Sequence, residues 1–140
     1  MPTITRRFEW DAAHRVLNHE GRCRHLHGHR YSAEVTVYAT GLDKLGRVID
    51  FSVLKEKVGK WIEENWDHAA IFYDEDPFID IMLKAGEGYE RFYTMECNPT
   101  AENLAKELYY KAYELLKDTD VMLGSVRVWE TPSSSADYPS

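Results

Sequence analysis

The sequence predicts an α+β fold of element order ββααββ. Three observations carry this: two long stretches of period-two alternation near the N-terminus, two amphipathic helical stretches after them, and a closing pair of strand signals. From Ile4 to His14 the even positions read Ile4, Arg6, Phe8, Trp10, Ala12 and His14 against a more polar odd set, which is a half-buried strand. His27, His29, Tyr31, Ala33, Val35, Val37 and Ala39 share one parity in the same way and make a second strand. Leu54, Val58, Trp61 and Ile62 recur at helical spacing and predict a helix over about 51–65, with Gly59 as its weak point. Leu104, Leu108, Ala112, Leu115 and Leu116 form the stripe of a second helix, opened by Pro99 and capped by Asn98 or Thr100. Val126, Val128 and Glu130 then share one face of a third strand, and the turn from Pro132 to Ser135 leads to a short fourth near Asp137 and Tyr138.

Between the helices, residues 69–98 are too long for a plain connector. Within them, Arg91–Cys97 is expected as an accessory strand and Phe78–Lys84 as a helical turn. With 140 residues, 44% of them hydrophobic and 29% charged, the chain reads as one globular domain over residues 1–140. Such a chain buries enough surface to fold without a metal staple, so a metal site here is expected to be functional. There is no apolar run of membrane-spanning length, and Met1–Trp10 alternates where a signal peptide would be continuously apolar, so a cytoplasmic protein is expected. Cys23 and Cys97 are then free thiols. A net charge of −7 argues against nucleic acid. Arg15, Arg22, Arg24 and Arg30, with only Glu20 as an acid among them, form a local exception suited to an anionic small molecule.

Strand parity places His14, His27 and His29 on apolar faces. If the first two strands pair as a hairpin, the three imidazoles meet near its connecting loop. Three neutral imidazoles suit Zn²⁺ with a fourth position left open, and Gly28 leaves room for close approach. His19 and His25 read as ordinary loop residues. Cys23 has two functional readings, a fourth metal ligand or a nucleophile or base beside an open site, and its basic surroundings favour the thiolate. Asp67-His68 is either a polar helix exit or a proton relay. Glu130 continues an apolar face, where a carboxylate needs a partner such as a ligand bearing adjacent N–H donors.

Cys23-Arg-His-Leu-His27-Gly-His29 resembles the Cys-x3-His-Gly-His motif of the 6-pyruvoyl-tetrahydropterin synthase family, and in particular its bacterial 6-carboxy-tetrahydropterin synthase branch, which serves queuosine precursor synthesis. Segments around Ala12-Ala13-His14, Gly46–Phe51, Asp67-His68, Asn98–Asn103 and Trp129–Pro132 follow in the same order, while about Tyr73–Met95 is longer and less familiar. The resemblance implies a tunnelling fold: a four-stranded antiparallel sheet with two helices on one face, joined edge to edge into an oligomeric β-barrel, a hexamer of two stacked trimers. It implies one Zn²⁺ per subunit on His14, His27 and His29. Cys23 would be the catalytic thiolate, Asp67 and His68 a proton relay supplied by a neighbouring chain, and Glu130 the anchor of the pterin edge, with Thr100, Glu102 and Thr131 as lesser substrate contacts.

The implied reaction converts 7,8-dihydroneopterin triphosphate to 6-carboxy-5,6,7,8-tetrahydropterin, acetaldehyde and triphosphate. The short Cys-x3-His spacing resembles this branch, and the alternative product is 6-pyruvoyl-tetrahydropterin. Two further readings of the residues stay open. One is a zinc-dependent hydrolase using Glu102 or His68, and the other a non-catalytic pterin- or purine-binding module whose zinc is structural.

Overall fold

In the computed structural model, which describes residues 1–88 and 90–140, a curled six-stranded sheet carries the two expected helices on one face. The strands are β1 (Thr3–His14), β2 (His27–Tyr38), β3 (Ala69–Tyr73), β4 (Phe92–Met95), β5 (Met122–Thr131) and β6 (Ser134–Tyr138), arranged in the order β4-β3-β1-β2-β5-β6. The helices are α1 (51–65), α2 (Phe78–Ala85) and α3 (Ala101–Leu115).

β1 and β2 pair without interruption from Thr3↔Tyr38 to His14↔His27. Because side chains alternate, this register puts Trp10, Ala12 and His14 of β1 and Tyr31, Ala33, Val35 and Val37 of β2 on the covered face. β5 joins antiparallel to β2, with Val126 opposite Val35 and Val128 opposite Ala33. Its bulge lies beside Gly124, where a Cβ would stand 3.2 Å from the Thr36 carbonyl oxygen.

The Asp50 carboxylate caps α1 by accepting from the Ser52 N–H at 2.8 Å. Leu54, Val58, Ile62 and Trp66 bury its inner face against the sheet. Gly59, the weak point in propensity, has a packing reason. A Cβ there would lie 2.9 Å from the Phe8 ring, so glycine lets α1 approach β1, and the helix widens into a π turn over Lys55–Gly59. Thr100, and not Asn98, caps α3 by accepting from the Asn103 N–H at 3.2 Å, and Leu104, Ala105, Leu108 and Ala112 complete the core.

The tunnelling fold stands, with an addition. The antiparallel ladder β1-β2-β5-β6 is the expected four-stranded sheet, and residues 69–95 extend it by two short strands that run parallel to β1. β4 falls inside the expected accessory strand. The expected helical turn is the two-turn helix α2, whose Ile81 and Leu83 remain exposed. β3 left no alternation to read because Ala69, Ala70, Ile71 and Phe72 are all buried, and a strand covered on both faces is continuously apolar. Tyr89, within the unfamiliar 73–95 stretch, lies outside the described residues. Among the described residues no helix is long and apolar enough to cross a membrane.

Candidate active site

His14 ends β1 and His27 begins β2, so the hairpin register sets them directly opposite each other, with His29 one inward position further along β2. Ligand nitrogens of the three lie within 4.8 Å of one another. The ring of His14 is 4.6 Å from that of His27 and 5.1 Å from that of His29, each edge to face. Two backbone carbonyls orient the rings: Pro99 accepts from His14 Nδ1 at 2.7 Å, and His25 accepts from His27 Nδ1 at 2.7 Å. With both Nδ1 atoms engaged as donors, Nε2 of each ring is left with a lone pair, yet the two Nε2 atoms stand 3.1 Å apart. Neither can donate to the other. Two zinc ligands at tetrahedral angles and bond lengths of about 2.0–2.1 Å would sit roughly 3.3 Å apart. His29 Nε2 is buried with no hydrogen-bond partner among the described residues, and Glu130 Oε1 is 3.7 Å away. These donors fit a divalent, imidazole-preferring ion such as Zn²⁺, and each carbonyl is the kind of outer partner that fixes a ligand ring.

Burial lowers the pKa of His14 to about 4; the Pro99 carbonyl pulls it back in part, and His27 and His29 push it down further. Burial likewise lowers His29, with Glu130 opposing and His27 assisting. Metal-free protein is therefore expected to lose stability in acid. Unfolded His14 takes up a proton near 6.5 while the folded ring stays neutral to about 4. Between those values stability falls by about 1.4 kcal/mol per pH unit, roughly 3 kcal/mol in all. Urea midpoints measured at pH 7.5 and pH 4.5 check this, and equal midpoints would refute it.

Glu130 lies where β5 parity placed it, beyond the buried Val126 and Val128, with Oε1 3.2 Å from His14 Nε2. Tyr31, on the same face, forms the floor. It is fully buried, stacked on Trp10 with ring centroids 5.5 Å apart, and its hydroxyl has no partner among the described residues. Cys23 sits half-buried in a short 3-10 turn (Arg22–Arg24) of the loop between β1 and β2. Among the described residues two groups are arranged to hold a metal, and Cys23 belongs to neither. Cys97 is also a free thiol, held above its usual pKa by burial and by the Glu107 carboxylate.

Asp67 and His68 do not join the histidine group. His68 Nδ1 donates to Asp67 Oδ1 at 2.9 Å, and the same oxygen accepts from the Asp11 N–H at 3.2 Å. The pair, with Asp11, forms the second group. The His68 side chain is 76% exposed, and its backbone holds φ of +61°, a left-handed conformation that costs a non-glycine residue about 1 kcal/mol. Arg91 braces the turn by donating to the carbonyls of Glu63, Glu64 and Asp67.

Thr100 is occupied in capping α3, Glu102 is exposed in its first turn, and the Thr131 hydroxyl accepts from the Ser133 N–H at 3.3 Å. The four arginines divide. Arg15 is bound to the buried Asp76 and Arg30 pairs with Asp11 at 3.2 Å, which leaves the exposed Arg22 and Arg24 free of any carboxylate among the described residues. The sequence alone did not reveal the Pro99 carbonyl, Tyr31 or Asp76. A carbonyl carries no residue-type signal, and the others read as ordinary strand and loop residues.

Comparison with known proteins places the chain in a family and supports its fold. Residues 3–140 match the family described as 6-pyruvoyl tetrahydropterin synthase. A Rickettsia conorii protein named 6-carboxy-5,6,7,8-tetrahydropterin synthase is 40% identical over 134 residues, covering 95% of this chain and 96% of its own. A Haemophilus influenzae protein of the same name is 33% identical, with 96% of each covered. Among solved structures, an uncharacterized protein from Wolinella succinogenes superposes with a TM-score of 0.86 at 26% identity, covering 97% of this chain and 96% of that one. The 6-pyruvoyl tetrahydropterin synthase of Caenorhabditis elegans gives 0.70 at 25% identity, covering 99% and 96%. A match running from β1 to the C-terminus, with relatives of this identity along nearly their whole length, means that the chain belongs to the 6-pyruvoyl tetrahydropterin synthase family.

Proposed function

We propose that the protein is a zinc-dependent lyase that converts 7,8-dihydroneopterin triphosphate and one water to 6-carboxy-5,6,7,8-tetrahydropterin, acetaldehyde and triphosphate, a step toward 7-deazapurine (queuosine) precursors. The observation that carries this is the three-imidazole group left open toward Glu130, in a chain whose curated relatives bear the 6-carboxy-5,6,7,8-tetrahydropterin synthase name. Bound to His14, His27 and His29, zinc supplies Lewis acidity that eases deprotonation of the substrate's side-chain hydroxyls. Glu130 accepts paired N–H donors of the pterin, Cys23 takes and returns a proton on the side chain, and Arg22 and Arg24 receive the triphosphate. Thr100, Glu102 and Thr131 border the substrate.

His68, oriented by Asp67, completes the proton relay from a neighbouring copy. Two features support a shared site. The pair stands apart from the histidine group within one chain, and β3 covers β1 only at Ala12–His14, so among the described residues the β1 edge from Thr3 to Trp10 and the outer edge of β6 stay open for pairing between copies. Repetition of that contact closes a barrel, and stacking two trimers gives the hexamer. The free thiols fit a cytoplasmic setting. Exclusion of Cys23 from the metal group favours this reading over a closed, structural zinc.

Mass spectrometry of zinc-loaded protein incubated with 7,8-dihydroneopterin triphosphate tests the proposal. Carboxy-tetrahydropterin with acetaldehyde supports it, a pyruvoyl product moves the protein to the other branch, and unchanged substrate or phosphate release alone refutes the lyase. Because His68 holds a conformation that glycine tolerates, His68→Gly is expected to fold within about 1 kcal/mol of the parent. Its turnover is expected to fall by about 10²–10⁴-fold. Melting temperature and kcat measured together check this, and parent-level kcat would remove His68 from the relay.

A further inference from the structure

The loop that carries Cys23 is built largely from its own backbone. Val16 N–H donates to the Cys23 carbonyl at 2.8 Å, His19 N–H to Val16 at 3.1 Å, and His25 N–H to Arg22 at 3.0 Å. Beside the His27 ring, whose Nδ1 donates to the His25 carbonyl at 2.7 Å, its side-chain tethers to the rest of the chain are two among the described residues. Asn98 brackets Leu17, accepting from its N–H at 2.9 Å and donating to its carbonyl at 3.1 Å. The other tether is Arg15. Its Nε and Nη2 each donate to Asp76 at 2.7 Å, while Nη1 reaches across the loop to the Arg24 carbonyl at 3.3 Å. The guanidinium also lies 3.8 Å over the Phe78 ring.

Asp76 is no surface acid. Its side chain has no solvent exposure, and Oδ1 also accepts from the Phe78 N–H at 2.9 Å, so the carboxylate is fully engaged where β3 leads into α2. A planar, bidentate pair of this kind has one geometry, and its third donor points at the residue following Cys23. Nothing in the electrostatics of a triphosphate site requires an arginine to be neutralised by a buried carboxylate.

We infer that Arg15 and Asp76 are positioning residues that hold the Cys23 thiol in register with the histidine group, so that the turn between β3 and α2 serves the chemistry. The inference rests on the reading of Cys23 as the proton-transferring thiol. Reacting groups displaced by about 1 Å lose roughly 10²-fold in rate, so a misplaced loop acts on kcat more than on binding.

The test uses the full-length protein with Arg15→Gln, Asp76→Asn and the double variant. The double variant removes both charges and leaves no unpaired ion in the interior, which protects the fold. Three quantities are read: kcat and KM, bound zinc, and the iodoacetamide alkylation rates of Cys23 and Cys97 by peptide mapping, Cys97 serving as the reference for general loosening. The expected result in the double variant is a kcat about 10–10²-fold below the parent, KM within about twofold, and full zinc. Cys23 alkylation is expected to be faster by about threefold or more, with Cys97 unchanged.

Parent-level kcat, an unchanged Cys23 rate, equal acceleration at both cysteines, or loss of zinc would each overturn the inference. The underlying reading fails separately, by full turnover in Cys23→Ala. The alkylation rates need no turnover and still report whether the pair holds the loop.

Discussion

Cys23→Ala is expected to abolish turnover while the protein keeps its metal. The thiol stands outside the group formed by His14, His27 and His29, so its removal subtracts nothing from that group. It also subtracts little from the fold. Cys23 is half-buried, and the contact that closes its loop, Val16 N–H to the Cys23 carbonyl at 2.8 Å, is made by backbone that alanine retains. What alanine loses is the group that moves a proton on the substrate side chain, and one well-placed acid–base group is worth about 10²–10⁴-fold in rate. Steady-state kinetics with metal analysis on the same preparation decides the matter. Full activity would remove Cys23 from the mechanism, and a loss of metal together with activity would make the thiol a ligand.

His27→Ala should do the opposite, emptying the metal site in a protein that still folds. His27 is half-buried at the mouth of the β1–β2 hairpin, and its contacts are with the other two imidazoles and, through Nδ1, with the His25 carbonyl. Removing it leaves two imidazoles and Glu130. Loss of an outer partner of a ligand typically costs 10–100-fold in metal affinity, so loss of a ligand is expected to cost more than about 10²-fold. His19→Ala is the contrast, because among the described residues the His19 ring accepts the Gly21 N–H at 2.8 Å and belongs to neither metal-holding group. Metal content after dialysis, with a circular dichroism melt, separates the two variants. Stoichiometric metal in His27→Ala would refute the three-imidazole site.

Much of this arrangement was legible because a strand has only two faces. Once residues 27–39 alternate, His27 and His29 must lie on the side of Val35 and Val37, and Glu130 follows the inward Val126 and Val128 even though the ladder to β6 shifts register between Trp129 and Thr131. Helical spacing located α1 and α3 on the same principle, since Leu54, Val58 and Ile62, and Leu104, Leu108 and Ala112, return to one side of their helices. The Cys-x3-His-Gly-His motif and its companion segments added the family, because their order along the chain matches one known constellation.

The hairpin register that sets His14 opposite His27, the Pro99 and His25 carbonyls that turn their rings, the seat of Asp67-His68 beside Asp11, and the Arg15–Asp76 clamp were decided only by the tertiary structure. So was the parallel pairing of β3 and β4, whose partners lie far along the chain. The physical reason is one of range. Periodicity and motif spacing follow from the geometry of a few consecutive peptide units, so they are written locally. A carbonyl that orients a ring 85 residues away, or a buried carboxylate that captures a guanidinium from another loop, comes into being only when the chain packs, and leaves no mark in the residue pattern at either end.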